Sequence, residues 1–337
     1  MPSEEQNALT VPEDEPIRRQ AAEAFGRGDT VDVIYRVSIA GRVKHLRTIV
    51  DAVRDVQGRP LKVYGIVQDV TAVEAGRARL AQVEQLLRDR QHELAAEHQL
   101  AVRLQQIILP VPAEPFDLAG LRVAVRYLPA EQASHVGGDW FHAEAAADGT
   151  VVLAVGDVTG HGIHAAATMV QLRQALAALT ALTTTDPAQL LAYLNRLVRR
   201  GGPAADAATA VIARYHPETC TLQWAQAGHP APLHSRAGTT TELDRPRGIL
   251  LGAAPDATYA TATTTIGPDD VLLFYTDGLI ERRGRSLADG LAPVTTTLNR
   301  ITGSGTRQPL ADILGQLDRA NPDDDTCIIA IRRLPTN

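Results

Sequence analysis

The chain has 337 residues, 45% hydrophobic but only 4% aromatic, and its 33 Lys+Arg against 39 Asp+Glu leave a formal charge of −6. That length predicts two folded units and a connector around an aliphatic core, and an acidic chain without a basic block makes nucleic acid or an anionic membrane a poor partner. With no apolar run of about 18 residues, an acidic N-terminus (Glu4, Glu5, Glu13, Asp14, Glu15) unlike a signal peptide, and two cysteines (Cys220, Cys327) set in apolar runs, the expectation is a cytoplasmic protein with reduced thiols.

Residues 1–75 read as a small α/β module. Pro12-Glu13-Asp14-Glu15-Pro16 opens a helix running to Phe25, with acidic residues in its first turn. Val31–Ile39, Val43–Arg54 and Leu61–Val70 read as strands, parted by turns at Ala40-Gly41-Arg42 and Gln57-Gly58-Arg59-Pro60. The segments Tyr35-Arg36-Val37, Gly41-Arg42-Val43, Asp55–Pro60 and Gly65–Thr71 resemble the second half of a PAS domain. Only eleven residues precede Pro12, so the expected module is a partial one without the first strands. It has no cysteine, which excludes a cysteinyl–flavin photosensor. A ligand-binding sensor and a plain dimerisation module are the two readings.

Residues 76–110 form the expected linker, helical over 76–108. With Leu80 at position a of a heptad, Leu87, Leu94, Ala101 and Ile108 recur at a, and Val83, Arg90, Glu97 and Leu104 at d. That spacing predicts a parallel coiled coil, hence a homodimer, of modest stability because two d positions are polar. A single amphipathic helix lying on the next domain is the alternative. Leu109-Pro110-Val111-Pro112 ends the helix.

Residues 111–337 alternate strands and helices. Leu121–Tyr127, Val151–Asp157, Ala208–Tyr215, Thr221–Ala227, Asp270–Tyr275 and Thr326–Arg333 read as strands, and Gly162–Leu182, Pro187–Arg200 and Pro309–Asp318 as helices. An α+β fold of stacked sheets faced by helices follows. Four signatures interrupt this pattern: Val136-Gly137-Gly138-Asp139-Trp140, Gly156-Asp157-Val158-Thr159-Gly160-His161-Gly162, Tyr275-Thr276-Asp277-Gly278 and Asp323-Asp324-Asp325-Thr326. Each sets an aspartate beside glycine or at the end of an apolar run, where backbone and ligand can approach closely. Singly each is an ordinary turn. Brought together they would repel, two carboxylates at ~4 Å costing about 4 kcal/mol at an effective dielectric of ~20. Two divalent cations would neutralise four such charges, and hard oxygen ligands point to Mg²⁺ or Mn²⁺ rather than zinc.

The order and flanks of these motifs resemble the SpoIIE-type (RsbU-like) branch of the metal-dependent PPM protein phosphatases. The match also runs through Gln105–Pro110, Ala227-Gly228-His229-Pro230-Ala231-Pro232-Leu233, Leu251-Gly252 and Leu279–Arg283. The resemblance implies a four-layer α/β/β/α sandwich over 111–337, with a two-metal site between the sheets. It implies Asp139, Asp157 and the Val158 carbonyl as ligands of the metal-bridging core, and Asp277 with Asp323 on the second ion. Asp324 could replace or support Asp323 in the triplet. Where the family commonly carries another acidic residue, three places after Asp139, this chain has His142. The implied reaction is phosphoserine/threonine hydrolysis by direct attack of water activated between two Mn²⁺ or Mg²⁺ ions, without a phosphoenzyme. The implied substrate is a phosphorylated STAS-type anti-anti-sigma factor, with activity regulated through the N-terminal module and linker.

Among the histidines, His161 is the nearest proton-donor candidate by sequence, with a structural role as its alternative. His229, in a Gly-His-Pro turn, reads as structural, and His135 and His142 are assigned no role. Arg282 and Arg283 would face an incoming phosphoprotein or simply be solvated. The competing functions are a catalytically inactive scaffold acting by partner binding, and a different two-metal hydrolase, whose site would normally add histidine ligands.

Overall fold

The computed structural model describes residues 9–130, 137–160, 162–200, 207–281, 284, 286–317 and 324–335, without the side chains of residues 94, 97, 98, 100–102 and 104–106. Contacts divide the chain into two compact units, Met1–Glu93 and Leu94–Asn337, the boundary falling inside one long helix.

In the first unit a 3-10 turn, Pro12–Asp14, leads into α1 (Glu15–Arg27), which stops at Gly28 in the left-handed region (φ 106°). Strands β1 (Val31–Ile39), β2 (Arg42–Arg54) and β3 (Pro60–Asp69) form an antiparallel meander in the order β1-β2-β3. The β1–β2 turn uses Ala40 and Gly41, both at positive φ (50° and 74°), the backbone twist that a two-residue hairpin requires. Asp14 does more than complement a helix dipole. Its buried carboxylate accepts from the backbone N–H of Arg36 at 2.7 Å and from the Arg36 guanidinium at 2.9 and 2.6 Å, tying the helix entrance to β1. Val31, Val37 and Val70 are the buried aliphatics among the described residues here, while Leu61, Val63, Ile66 and Val67 of β3 are exposed. Helix α2 (Thr71–Ile108) is one continuous helix of 38 residues. Leu80, Val83 and Leu87 on it are more than half exposed in the single chain, and Leu109 just beyond it is buried.

The second unit is built on two antiparallel sheets. Strands β4 (Phe116–Leu118), β5 (Leu121–Leu128), β10 (Leu233–Arg236), β11 (Thr239–Glu242), β13 (Val271–Tyr275) and β14 (Thr326–Arg333) make one sheet, in the order β11-β10-β13-β14-β5-β4. The other is β12-β9-β8-β7-β6, from β6 (Trp140–Ala145), β7 (Val151–Val158), β8 (Ala208–His216), β9 (Thr221–Ala227) and β12 (Ala262–Thr265). Helices α3 (Ile163–Leu182) and α4 (Pro187–Arg200) pack on the five-stranded sheet, and α5 (Leu287–Gly303) and α6 (Pro309–Gln316) on the six-stranded one. The result is a four-layer α/β/β/α sandwich.

Side-chain alternation explains the layering. On β13, Leu272 and Phe274 join the core between the sheets, while Val271, Leu273 and Tyr275 join the core under α5 and α6. On β14, Cys327, Ile329 and Ile331 face the first core, and Ile328 and Ala330 the second. Both faces are covered, so these strands read as unbroken apolar runs. Helix α5 is not among the sequence-based expectations, because it holds Pro293 and two threonines, Thr295 and Thr296, that bond back to the Ala292 carbonyl. What starts it is a capping box between Ser286 and Asp289, and what holds it is the burial of Val294, Leu298 and Ile301. The short strands β4, β6, β10, β11 and β12 are likewise additions to the sequence reading. Among the described residues, no helix is long and apolar enough to cross a membrane.

Candidate metal centre

Two aspartates come from one sheet. β6 and β7 pair with Trp140 opposite Gly156, so the next positions along the hairpin are Asp139 and Asp157. Gly156 is required by its partner: a Cβ there would lie 2.5 Å from the Trp140 indole. Just before β6, the Gly138 carbonyl accepts from the Val158 N–H at the end of β7 at 3.3 Å. A Cβ on Gly138 would sit 2.3 Å from the Val158 carbonyl oxygen and 3.1 Å from Asp157 Oδ1. The second signature's carbonyl and carboxylate thus press against the first signature's glycine.

The other carboxylates come from the facing sheet. β13 ends at Tyr275, Thr276 is fully buried, and Asp277 opens the 3-10 turn Asp277–Leu279. Asp324 and Asp325 lie just before β14, and Gly278 packs on the Asp325 carbonyl, which a Cβ would meet at 1.9 Å. The two sheets are joined at this point by Thr276 Oγ1, which donates to Asp139 Oδ2 at 2.7 Å and accepts the Cys327 N–H at 2.8 Å.

The electrostatics show that these groups share one site. Asp139 is held well above the usual carboxylate range by burial, then by the charges of Asp157 and Asp325, with the Thr276 hydrogen bond opposing. Asp157 is pushed up to about 7 by burial, then by Asp277 and Asp324. Burial and then the charges of Asp277 and Asp325 bring Asp324 to about 6. Burial raises Asp277 as well. Removing a carboxylate from water disfavours its charge, and unneutralised like charges add to the penalty. Among the described residues no three His, Cys, Asp or Glu groups already close around one point; the carboxylates of the two sheets are near enough to raise one another's pKa. A donor set of carboxylates plus the Val158 carbonyl fits hard divalent cations.

Of the expected ligands, Asp139, Asp157, Val158, Asp277 and Asp324 meet here. Asp323 lies outside the described residues, as do Val136, His135, His161, Arg282 and Arg283. Asp325, named in the acidic triplet, was given no role of its own by the sequence reading. Its Oδ1 accepts the Ala130 N–H at 2.9 Å, Tyr127 hydrogen-bonds to it, and a Cβ on Gly137 would fall 1.6 Å from its Oδ2. It is thus bonded to Ala130 and packed against Gly137, two residues before Asp139. The signal for such a contact was the glycine pair itself, since Gly137 and Gly138 each leave room for an acidic or carbonyl oxygen. Thr276 was also missed, although a hydroxyl residue beside an Asp-Gly strand end marks it.

His229 is structural, as expected. Its Nδ1 meets Thr209 Oγ1 at 2.7 Å and its Nε2 the Tyr275 carbonyl at 3.0 Å, and burial pushes its pKa down to about 3. His142 is buried on the helix side of β6 beside Arg173, its Nε2 3.6 Å from the Glu144 carboxylate, with its pKa lowered to about 4 by burial and then by Arg173. Arg173 on α3 donates to the carbonyls of Phe141 (3.2 Å) and Ile108 (3.1 Å).

The family model for stage II sporulation protein E (SpoIIE) matches residues 147–334. Phosphoserine phosphatase RsbU of Bacillus subtilis (strain 168) is 29% identical over 227 residues, which is 66% of this chain and 65% of that protein. The structure of the RsbU and RsbW domains of Rv1364c from Mycobacterium tuberculosis is similar at 33% identity and a TM-score of 0.57, over 67% of this chain and 64% of that one. RsbX in complex with magnesium shares the fold at 18% identity and a TM-score of 0.50, over 65% of this chain and 98% of RsbX. The chain spans just under two-thirds of the length of RsbU and of the Rv1364c structure.

Proposed function

The chain belongs to the SpoIIE family, and from that premise we propose that it is a metal-dependent protein serine/threonine phosphatase. The observation that carries the proposal is the meeting of Asp139 and Asp157 from one sheet with Asp277 and Asp324 from the other, each carboxylate raised above its ordinary pKa. Asp139, Asp157 and the Val158 carbonyl would hold the core of the metal site, and Asp277 with Asp323 or Asp324 would hold the second ion. Two Mn²⁺ or Mg²⁺ ions bound there would supply a nucleophilic water at neutral pH and neutralise charge on the transferring phosphoryl group.

The chain's own residues orient this chemistry. Thr276 fixes one oxygen of Asp139, leaving the other for a cation. Gly138 keeps the approach to the Val158 carbonyl clear of any side chain. Water adds to phosphorus as the serine or threonine oxygen leaves, giving inorganic phosphate and the free hydroxyl, and no residue is phosphorylated on the way. Cys327 is not a nucleophile: it is fully buried and its thiol is held well above the ordinary range, first by burial and then by Asp139.

The substrate is a phosphorylated protein, in this reading a STAS-type anti-anti-sigma factor, a choice supported by the similarity to RsbU, itself described as a phosphoserine phosphatase. Residues 1–75 are the regulatory PAS-like module, 76–110 the linker and 111–337 the phosphatase domain. The exposed Leu80, Val83 and Leu87 support a homodimer through the helix.

Mn²⁺-dependent release of phosphate from a phosphoserine protein and from p-nitrophenyl phosphate, with Asp157→Asn as control, tests this. Turnover by the intact chain that requires Mn²⁺ and is lost in the variant is the expected result. Absence of metal-dependent turnover overturns the activity, and turnover surviving in Asp157→Asn overturns the site.

A further inference from the structure

Resting on that reading of the site, we infer that His229 is a positioning residue that sets the spacing between Asp157 and Asp277 by tying the two sheets together at the metal end. Its Nε2 faces the Tyr275 carbonyl at 3.0 Å. A carbonyl only accepts, so Nε2 carries the proton and Nδ1 accepts from the Thr209 hydroxyl at 2.7 Å. Thr209 is the cross-strand partner of Asp157 in β7–β8, and directly opposed residues of an antiparallel pair point to the same side. Tyr275 is the last residue of β13, two before Asp277. One imidazole therefore joins the backbone beside one carboxylate to a side chain beside the other.

The histidine is itself held. Its backbone N–H donates to Gln226 Oε1 at 3.0 Å, and Gln226 Nε2 donates to the Pro246 carbonyl at 2.7 Å. Gly228, at φ 68°, makes a parallel bridge with Ala210 on β8. The side chain is 1% exposed, so it reaches neither substrate nor solvent and acts only through Thr209 and Tyr275. The Thr276–Asp139 contact is the second tie across the same gap. With the first removed, the Asp277 turn loses one of its ties to the five-stranded sheet and keeps the Thr276–Asp139 bond.

The test compares the full chain with His229→Leu, Thr209→Val, the double variant and His229→Gln. Mn²⁺ affinity is read by titration calorimetry, amide hydrogen exchange over residues 275–281 in the metal-free protein, and the pH–rate profile with p-nitrophenyl phosphate. Weakening of Mn²⁺ binding by about tenfold, the equivalent of one lost hydrogen bond, is expected in His229→Leu and in Thr209→Val. Exchange over 275–281 should be faster in both, and the double variant should be no worse than His229→Leu because one contact is shared. His229→Gln, whose amide keeps an N–H for the Tyr275 carbonyl, should recover part of the loss. The shape of the pH profile should not change. Folded variants with wild-type Mn²⁺ affinity and exchange overturn the inference, as does loss of the alkaline limb in the His229 variants alone, which would mark a proton donor. Should His229→Leu fail to fold, Thr209→Val decides by the same readouts. A wild-type chain that takes up no Mn²⁺ sinks the phosphatase reading, and the exchange comparison still decides the tie between the sheets.

Discussion

Thr276 and Asp139 are 137 positions apart, yet the threonine hydroxyl donates to the aspartate's Oδ2 at 2.7 Å, both residues being buried. The same hydroxyl accepts the Cys327 N–H at 2.8 Å. Thr276→Val therefore strands a buried backbone donor and frees the carboxylate to rotate. Destabilisation of about 1–3 kcal/mol is expected in urea unfolding, with the Mn²⁺ concentration for half-maximal activity rising about tenfold, one hydrogen bond's worth of positioning. Thr276→Ser keeps the hydroxyl and should restore both. Wild-type metal dependence in the valine variant would show that Asp139 needs no such hold.

The raised carboxylates make the metal-free protein sensitive to pH. Asp157 and Asp324 sit at about 7 and about 6 when folded, against about 3.9 for an unperturbed aspartate. Between those values the folded state binds more protons than the unfolded one, so stability falls as pH rises. In EDTA, the melting temperature should drop from pH 5 to pH 8, with most of the loss between pH 5 and 7. Saturating Mn²⁺ should flatten or reverse the slope, because cations replace the protons. A metal-free melting temperature that climbs over this range would contradict the shared acidic site.

The same repulsion gives Asp157→Asn two opposite effects. Replacing a carboxylate that burial and neighbouring charges disfavour should stabilise the metal-free fold by roughly 1–3 kcal/mol at pH 8. Phosphatase activity should nevertheless vanish, since the amide cannot supply the charge that binds the cations. Thermal melting in EDTA and a Mn²⁺-supplemented assay on one preparation read both. An inactive variant that is also less stable would make Asp157 a fold residue first.

The exposed seam of α2 predicts the assembly state. Leu80, Val83 and Leu87 are 66%, 53% and 58% exposed in the single chain, and a heptad seam left in water buries itself against an identical helix. Light scattering at micromolar concentration should give a dimer for the intact chain and a monomer for Leu80→Glu/Leu87→Glu. A wild-type monomer would leave the seam to some other surface.

Much of the fold was legible because its strands alternate between two cores. Val271–Tyr275 and residues 327–331 are apolar throughout because both faces are covered, and the glycine and aspartates that flank the strands mark where they stop. The acidic site was legible from residue type and order, since aspartates at strand ends have few reasons to recur. Helix α5 was hidden by Pro293 and its threonines, whose low propensity is overridden by the burial of Val294, Leu298 and Ile301. The ties that hold the site were hidden for another reason. Asp325 to Ala130 spans 195 positions and His229 to Tyr275 spans 46, and no local pattern encodes partners that distant.

The acidic triplet divides its labour, and substitutions can separate the parts. Asp324 is raised by burial and then by the charges of Asp277 and Asp325, and its own charge in turn raises Asp157, whereas Asp325 spends its oxygens on the Ala130 N–H and on Tyr127 beside Gly137. Asp324→Asn should weaken Mn²⁺ binding and activity while leaving the metal-free melting temperature unchanged or raised. Asp325→Ala should lower that temperature, because a buried N–H loses its acceptor at a cost of about 1–3 kcal/mol. Its activity should fall only through the loosened Gly137-Gly138 loop, with partial recovery in Asp325→Asn, which still offers an acceptor to Ala130. Asp323→Asn completes the set, and loss of Mn²⁺ binding there as well would give the second ion two carboxylates from this loop. If Asp325→Ala abolished metal binding at unchanged stability, the assignment would reverse, with Asp325 turning toward the cations and Asp324 left to the surface.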